Sequence, residues 1–157
     1  YAKAAADAGI RVLHPRIGVV LSKDGGALAK MLLPFKMGAG GRIGDGRQWM
    51  SWIALQDLVS VLAHMIQTDS LSGPVNAVAP NPVTNQEFTK TLGKALSRPT
   101  LFPMPSFAAK LAFGEMADEL LLASTRVVPN KLKESGFQFA TPTLAEALAQ
   151  VLAKTAA

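Results

Sequence analysis

The 157-residue chain reads as an α/β fold with a helical end. Three observations predict it. β-Branched runs alternate with amphipathic helical stretches through residue 97. Two Thr-x-x-Glu capping boxes, Thr84–Glu87 and Thr143–Glu146, mark helix starts. Past the three prolines of Ser97–Ser106, helical patterns dominate, so that stretch reads as a joint between residues 1–97 and 98–157.

Each element follows from local chemistry. Ala2–Ala8 is alanine-rich and helix-prone, with Gly9 as its stop. Ile10–Leu13 and Ile17–Leu21, either side of His14-Pro15-Arg16, read as a buried strand and its continuation. Asp24-Gly25-Gly26 is a turn. Ala27–Met37 carries Leu28, Met31, Leu32 and Phe35 at helical spacing, and Pro34 is expected to bend or end that helix early. Gly38–Gly46 is a glycine-rich loop, and Trp49–Leu55 a strand. Asp57 is placed to cap a helix Leu58–Thr68, whose Leu58, Val61, Leu62 and Met65 share one face. Val75–Ala79 is a short strand, and the first capping box opens a helix to about Ser97. Phe107–Gly114 and Glu115–Ala123 read as helices, and Pro129–Ser135 as a short one closed by Gly136. Phe137–Phe139 is extended, and the second box opens a final helix to about Lys154.

Composition narrows the function classes. At 49% apolar and 17% charged, with mean hydropathy +0.24, the chain is too apolar for a disordered tail. Zero cysteines exclude disulfides, thiolate metal sites and cysteine nucleophiles, and fit a reducing, cytoplasmic setting. The net charge of +5 sits wholly in residues 1–50, where eight basic groups face three acids. That asymmetry points to an anionic neighbour, although a scatter of solvated lysines gives the same count. With 6% aromatics and no recognition module, nucleic acid is not the expected partner. No uncharged stretch reaches the ~20 apolar residues of a membrane span. The chain begins at Tyr1, as expected of a piece cut from, or started within, a longer protein.

The residues that carry chemistry are few. Gly38, Gly40, Gly41, Gly44 and Gly46 crowd around Arg42, with Arg47 just beyond. Such a loop can bring backbone N–H groups and an arginine fork to a phosphate, or can simply connect two elements. It is neither a P-loop nor a dinucleotide fingerprint, since Arg47-Gln48 replaces Lys-Ser/Thr and G-x-G-x-x-G is absent. His14 and His64 sit at no metal-pair spacing, and no serine carries a nucleophile elbow. Asp118 and Glu119 are adjacent, hence on different sides of a helix. Trp49 and Trp52, three apart in a strand, face opposite sides, one toward the core and one toward a cleft.

Arg11-Val-Leu-His-Pro-Arg-Ile-Gly-Val-Val-Leu21, then Gln48-Trp-Met-Ser-Trp-Ile53 and Asp57-Leu58, resembles the second half of an extended short-chain dehydrogenase/reductase. Asn76–Ala79 and Val83–Phe88 resemble that family's next strand and capped helix. The tail motifs Phe113-Gly-Glu-Met116, Arg126-Val-Val-Pro129, Gly136-Phe-Gln-Phe139 and Leu144–Leu148 are similar to the C-terminal domain of its epimerase-family branch, sometimes labelled sugar-nucleotide epimerase-like or cell-division inhibitor. The resemblance implies a C-terminal part of a Rossmann-like protein, with a small, mostly helical substrate-side domain. It implies NAD or NADP in the full-length parent, none held tightly by this piece, and a nucleotide-sugar-like substrate. His14, Pro15 and Arg16 fall on the cofactor side; Arg42, Arg47, Gln48, Trp52 and Asp57 fall on the substrate side. Ala54 stands where relatives often have histidine, and Gln56 where an acid is common. The family's Tyr-x-x-x-Lys is absent, because Ala5 stands four residues after Tyr1, so no catalytic residue is assigned and the piece is expected to be inactive alone. A non-catalytic binding or regulatory protein on the same scaffold is the alternative. A sheet cut at its edge is further expected to self-associate.

Overall fold

The computed structural model describes residues 2–103 and 123–153. Twelve elements follow one another there: α1 (Ala2–Asp7), β1 (Leu13–Ile17), β2 (Val19–Leu21), α2 (Gly26–Lys36), β3 (Trp49–Met50), β4 (Trp52–Ala54), α3 (Leu55–Gln67), β5 (Gly73–Ala77), β6 (Val83–Thr84), α4 (Asn85–Ala95), α5 (Asn130–Glu134) and α6 (Leu144–Leu152). The helices expected over 107–123 lie, up to residue 122, outside the described residues.

The strand signal around His14-Pro15-Arg16 is real but arranged differently from the sequence expectation. β1 runs through the proline and pairs in parallel with β5; after Gly18, β2 pairs in parallel with β4. The chain thus exchanges partners at one glycine. A Cβ there would sit 2.6 Å from the Ser51 carbonyl oxygen and 2.9 Å from Val78 Cγ1, so only glycine lets the three backbones meet. β1 is not buried: His14, Pro15, Arg16 and Ile17 are all exposed. Among the described residues it has a neighbour on one edge only. Val12 accepts from Gly73 N–H, and Gly18 N–H donates to the Ala77 carbonyl, so even-numbered residues aim their backbone at β5. Pro15 therefore faces the outer edge, where its missing N–H costs no ladder bond.

Other elements shift for equally local reasons. Trp49–Leu55 is not one strand but two, parted at Ser51, because β3 pairs antiparallel with β6 while β4 joins β2. α2 continues through Pro34, which removes only one helical donor close to the C-terminus. α3 starts at Leu55, earlier than expected, and its N-cap Ala54 has no capping side chain. Both capping boxes form as read, at Thr84 and at Thr143.

Two cores hold the elements together. Leu21, Met31, Phe35, Trp52, Phe88 and Leu148 pack into one, under α2, α4 and α6. Ile53, Val61, Met65, Val75 and Leu132 pack into the other, between α3, β5 and α5. The C-terminal helices therefore complete cores begun before residue 97. Arg11 ties the end of α3 in place by donating to the Met65 and Ile66 carbonyls at 2.9 and 2.6 Å.

Candidate functional site

The partner exchange at Gly18 leaves a cleft of roughly 290 Å³. Arg16, Ile17, Gly18 and Val19 form one side, Trp49, Met50 and Ser51 another, with Val78 and the segment Ala123–Val127. Among the described residues the lining is mostly aliphatic, with Arg16 its one cation and no carboxylate. A small apolar cavity with one convergent charge has the make-up of a ligand site.

Ser51 organises this cleft. Its carbonyl accepts from Val19 N–H at 2.8 Å, and its hydroxyl donates to the Thr125 carbonyl at 2.8 Å. The same oxygen accepts from Val127 N–H at 2.9 Å. Thr125 N–H donates to the Trp49 carbonyl, and Trp49 N–H to the Ser124 hydroxyl, both near 3 Å. The segment Ser124–Val127 is thus strapped along β3 as a wall of the cleft. Arg126 stacks over the Trp49 ring, 4.2 Å from its centroid.

The glycine loop is held closed by its own bonds. Asn85, fully buried, accepts from Ile43 N–H at 2.8 Å, while Asn85 and Gln86 N–H donate to the Gln48 and Gly46 carbonyls. The loop thereby satisfies the first donors of α4, which are then not open to a phosphate. Gly40 lies against the Phe35 ring and Gly41 against the Phe102 carbonyl, leaving no room for side chains. Arg42 donates to the Asp45 carbonyl at 2.8 Å, and the Asp45 carboxylate accepts from Arg47 N–H. Gln48 donates to the Ile43 carbonyl. Arg42 and Arg47 remain exposed on this loop, and neither lines the cleft.

Of the residues singled out in the sequence, Arg16 borders the cleft; His14 and Pro15 are exposed on β1 but do not line it. Trp52 has no exposed surface, and its indole N–H donates to the Asn81 carbonyl at 3.0 Å. The expectation that one tryptophan faces the core and the other a cleft holds with Trp49 in the cleft; a substrate contact by Trp52 is corrected. Asp57 is corrected as a cap: it does not cap α3, whose N-cap is Ala54. It is 2% exposed, and its carboxylate accepts from Ala140 N–H, Thr141 N–H and the Thr141 hydroxyl at 2.9, 3.0 and 2.6 Å. Sequence reasoning passed over Gly18, Ser51 and the strap. An isolated glycine inside a strand pattern was a signal of close backbone approach; an ordinary serine gives none.

Comparison with known proteins finds relatives along nearly the whole chain. A domain of unknown function (DUF1731) matches residues 104–151, which include the strap. The chain is 51% identical over 144 residues to the Epimerase family protein Mb2239 of Mycobacterium bovis, covering 92% of this chain and 48% of the relative. The crystal structure of human epimerase family protein SDR39U1 (isoform 2) with NADPH superimposes with a TM-score of 0.84 at 39% identity, over 90% of this chain and 48% of that one. A nucleoside-diphosphate sugar epimerase from Corynebacterium glutamicum superimposes at 0.73 with 36% identity, over 96% of this chain and 28% of that one. The chain spans about half the length of the curated relatives it matches. By sequence and by fold, it belongs to the epimerase family of the extended short-chain dehydrogenase/reductases, as a C-terminal portion of such a protein.

Proposed function

We propose that this chain supplies the substrate side of an NAD(P)-dependent epimerase- or reductase-like protein and is inactive on its own. The observation that carries the reading is the aliphatic cleft at Gly18, walled by the strap, in a chain so similar to the human relative crystallised with NADPH. Ile17, Val19, Met50 and Val78 suit the flat face of a nicotinamide or sugar ring, and Arg16 is the charge beside it. A bound nicotinamide cofactor would supply or accept hydride; this chain's part is to shape the wall against which the reacting groups lie and to keep water from it. The described residues offer no cradle for the cofactor's diphosphate, and the sequence has no Tyr-x-x-x-Lys to move a proton. Those parts fall to the remainder of the whole protein.

The substrate side is assigned to a nucleotide-sugar-like ligand. Arg47 is the loop arginine whose side chain has no polar partner among the described residues, and it is the one we assign to a phosphate. A reducing, cytoplasmic setting fits the absence of cysteine. A second reading is ligand binding without turnover: among the described residues, the cleft lining holds no carboxylate, histidine or tyrosine.

NADPH fluorescence and turnover of a UDP-sugar panel, measured on the whole protein and on this chain, test the proposal. Binding and turnover by the whole protein, with no turnover by the chain, is the expected result. No NADPH binding by the whole protein overturns it; binding without turnover across the panel favours the second reading.

A further inference from the structure

Arg126 is the residue of the strap that the fold does not use. Its neighbours Thr125 and Val127 line the cleft and carry the bonds to Ser51, whereas Arg126 is exposed at the cleft's edge and stacks on the Trp49 ring. Its guanidinium has no hydrogen bond or ion pair among the described residues, and neither has that of Arg16 on the β1 wall. Among the described residues, no carboxylate lines the cleft to neutralise either. Two unpaired guanidiniums beside an apolar cavity raise its positive potential and draw anions toward it. A guanidinium is also the cation that can lie flat on an aromatic face while keeping its N–H fork free for phosphate or carboxylate.

We propose that Arg126, held against Trp49, is the ligand-selecting residue of this cleft. It grips the phosphate or carboxylate of a small ligand whose apolar part lies along Ile17, Val19 and Val78. The inference rests on the reading of this cleft as the substrate side and names the residue that decides what enters. Stacking on Trp49 orders a side chain that would otherwise lose rotamer freedom on binding. The Ser51 hydroxyl fixes the strap on both sides of it, at Thr125 and Val127. Lysine at this position would keep the charge but lose the planar fork.

The test titrates the isotope-labelled whole protein with phenyl phosphate, benzoate and phenol, reading the Trp49 indole N–H and the Arg126 Nε–H by NMR. Phenyl phosphate or benzoate shifts both signals saturably, and neutral phenol binds at least about tenfold more weakly. Which of the two anions binds tighter tells phosphate from carboxylate as the group gripped. Arg126→Ala and Arg126→Gln each weaken the preferred anion about tenfold, and Arg126→Lys restores little of it. The Thr125 and Val127 amide signals report that the strap is intact, and the glutamine variant serves if the alanine variant disturbs them. Unchanged affinity in both variants, or shifts confined to Arg42 and Arg47, overturns the inference. Anion binding through Arg126 in a protein that ignores NADPH would defeat the functional reading and leave this site standing. NADPH turnover with unaltered anion binding in the variants would do the reverse.

Discussion

Asp57→Ala is the most instructive change to make in this fold. The carboxylate is 2% exposed and receives three hydrogen bonds, all from Ala140 and Thr141. Alanine removes the acceptor and strands the donors. Ala140 is exposed and its N–H can turn to water, but Thr141 is 5% exposed, so its N–H and hydroxyl lose their partner inside the protein. A buried unsatisfied donor costs about 1–3 kcal/mol, so the two give about 3–5 kcal/mol together with the small cavity. That is a large share of the ~5–15 kcal/mol that holds a domain folded. At ~2–4 °C per kcal/mol for a chain of this size, the melting midpoint drops by about 6–20 °C. Asp57→Asn keeps one acceptor and turns an amide N–H₂ toward a donor, so it falls in between. Urea denaturation of both variants beside the native chain, with the slope checked for constancy, measures the loss. A loss under about 1 kcal/mol for alanine would refute the claim that this carboxylate latches the segment before α6 to α3.

Four further outcomes follow from the same geometry. Gly18→Ala drives a methyl against the Ser51 carbonyl and Val78, costing about 1–3 kcal/mol of stability and shifting the Trp49 indole signal; a neutral effect on both would remove the crossing-point argument. Ser51→Ala leaves Val127 N–H without its acceptor, so hydrogen exchange at that amide speeds up well before that of α4, and equal rates would show that the hydroxyl does not hold the strap. Glu146 lies below its usual carboxylate value of 4.5 because the Thr143 hydroxyl and N–H donate to it. A depressed folded value means that its contribution to α6 is present above that usual value and fades as pH falls through the lowered one; an NMR titration midpoint at or above 4.5 would contradict this. The chain alone self-associates through the open edge of β1 and the exposed Ile17, Val59 and Ile66, and light scattering reporting a monomer would refute that.

What the sequence revealed was chemistry that acts within a few residues. The capping boxes at Thr84 and Thr143, the stop at Gly136 and the apolar face of α3 are local, and each appears where it was read. Asp57 went astray because its partners are 83 and 84 residues away, and a carboxylate before an apolar run looks like a cap. Gly18 and the split at Ser51 depend on which strand lies alongside, which periodicity cannot encode. One tryptophan is buried and the other borders the cleft, and only packing decides which ring is covered. The glycine loop was read as a possible phosphate cradle from composition, whereas its Ile43 N–H and Gly46 carbonyl are engaged with Asn85 and Gln86. The family resemblance was legible because it rests on many ordered positions rather than on any single geometry.

The central claim is that the cleft at Gly18 is where a ligand lies. It is tested most directly by adding NADPH to the whole protein and mapping backbone amide shifts across the residues of this chain. The account predicts that Ile17, Gly18, Val19 and Ser51 move most. Shifts confined to the Gly38–Gly46 loop, with these four unmoved, would contradict it.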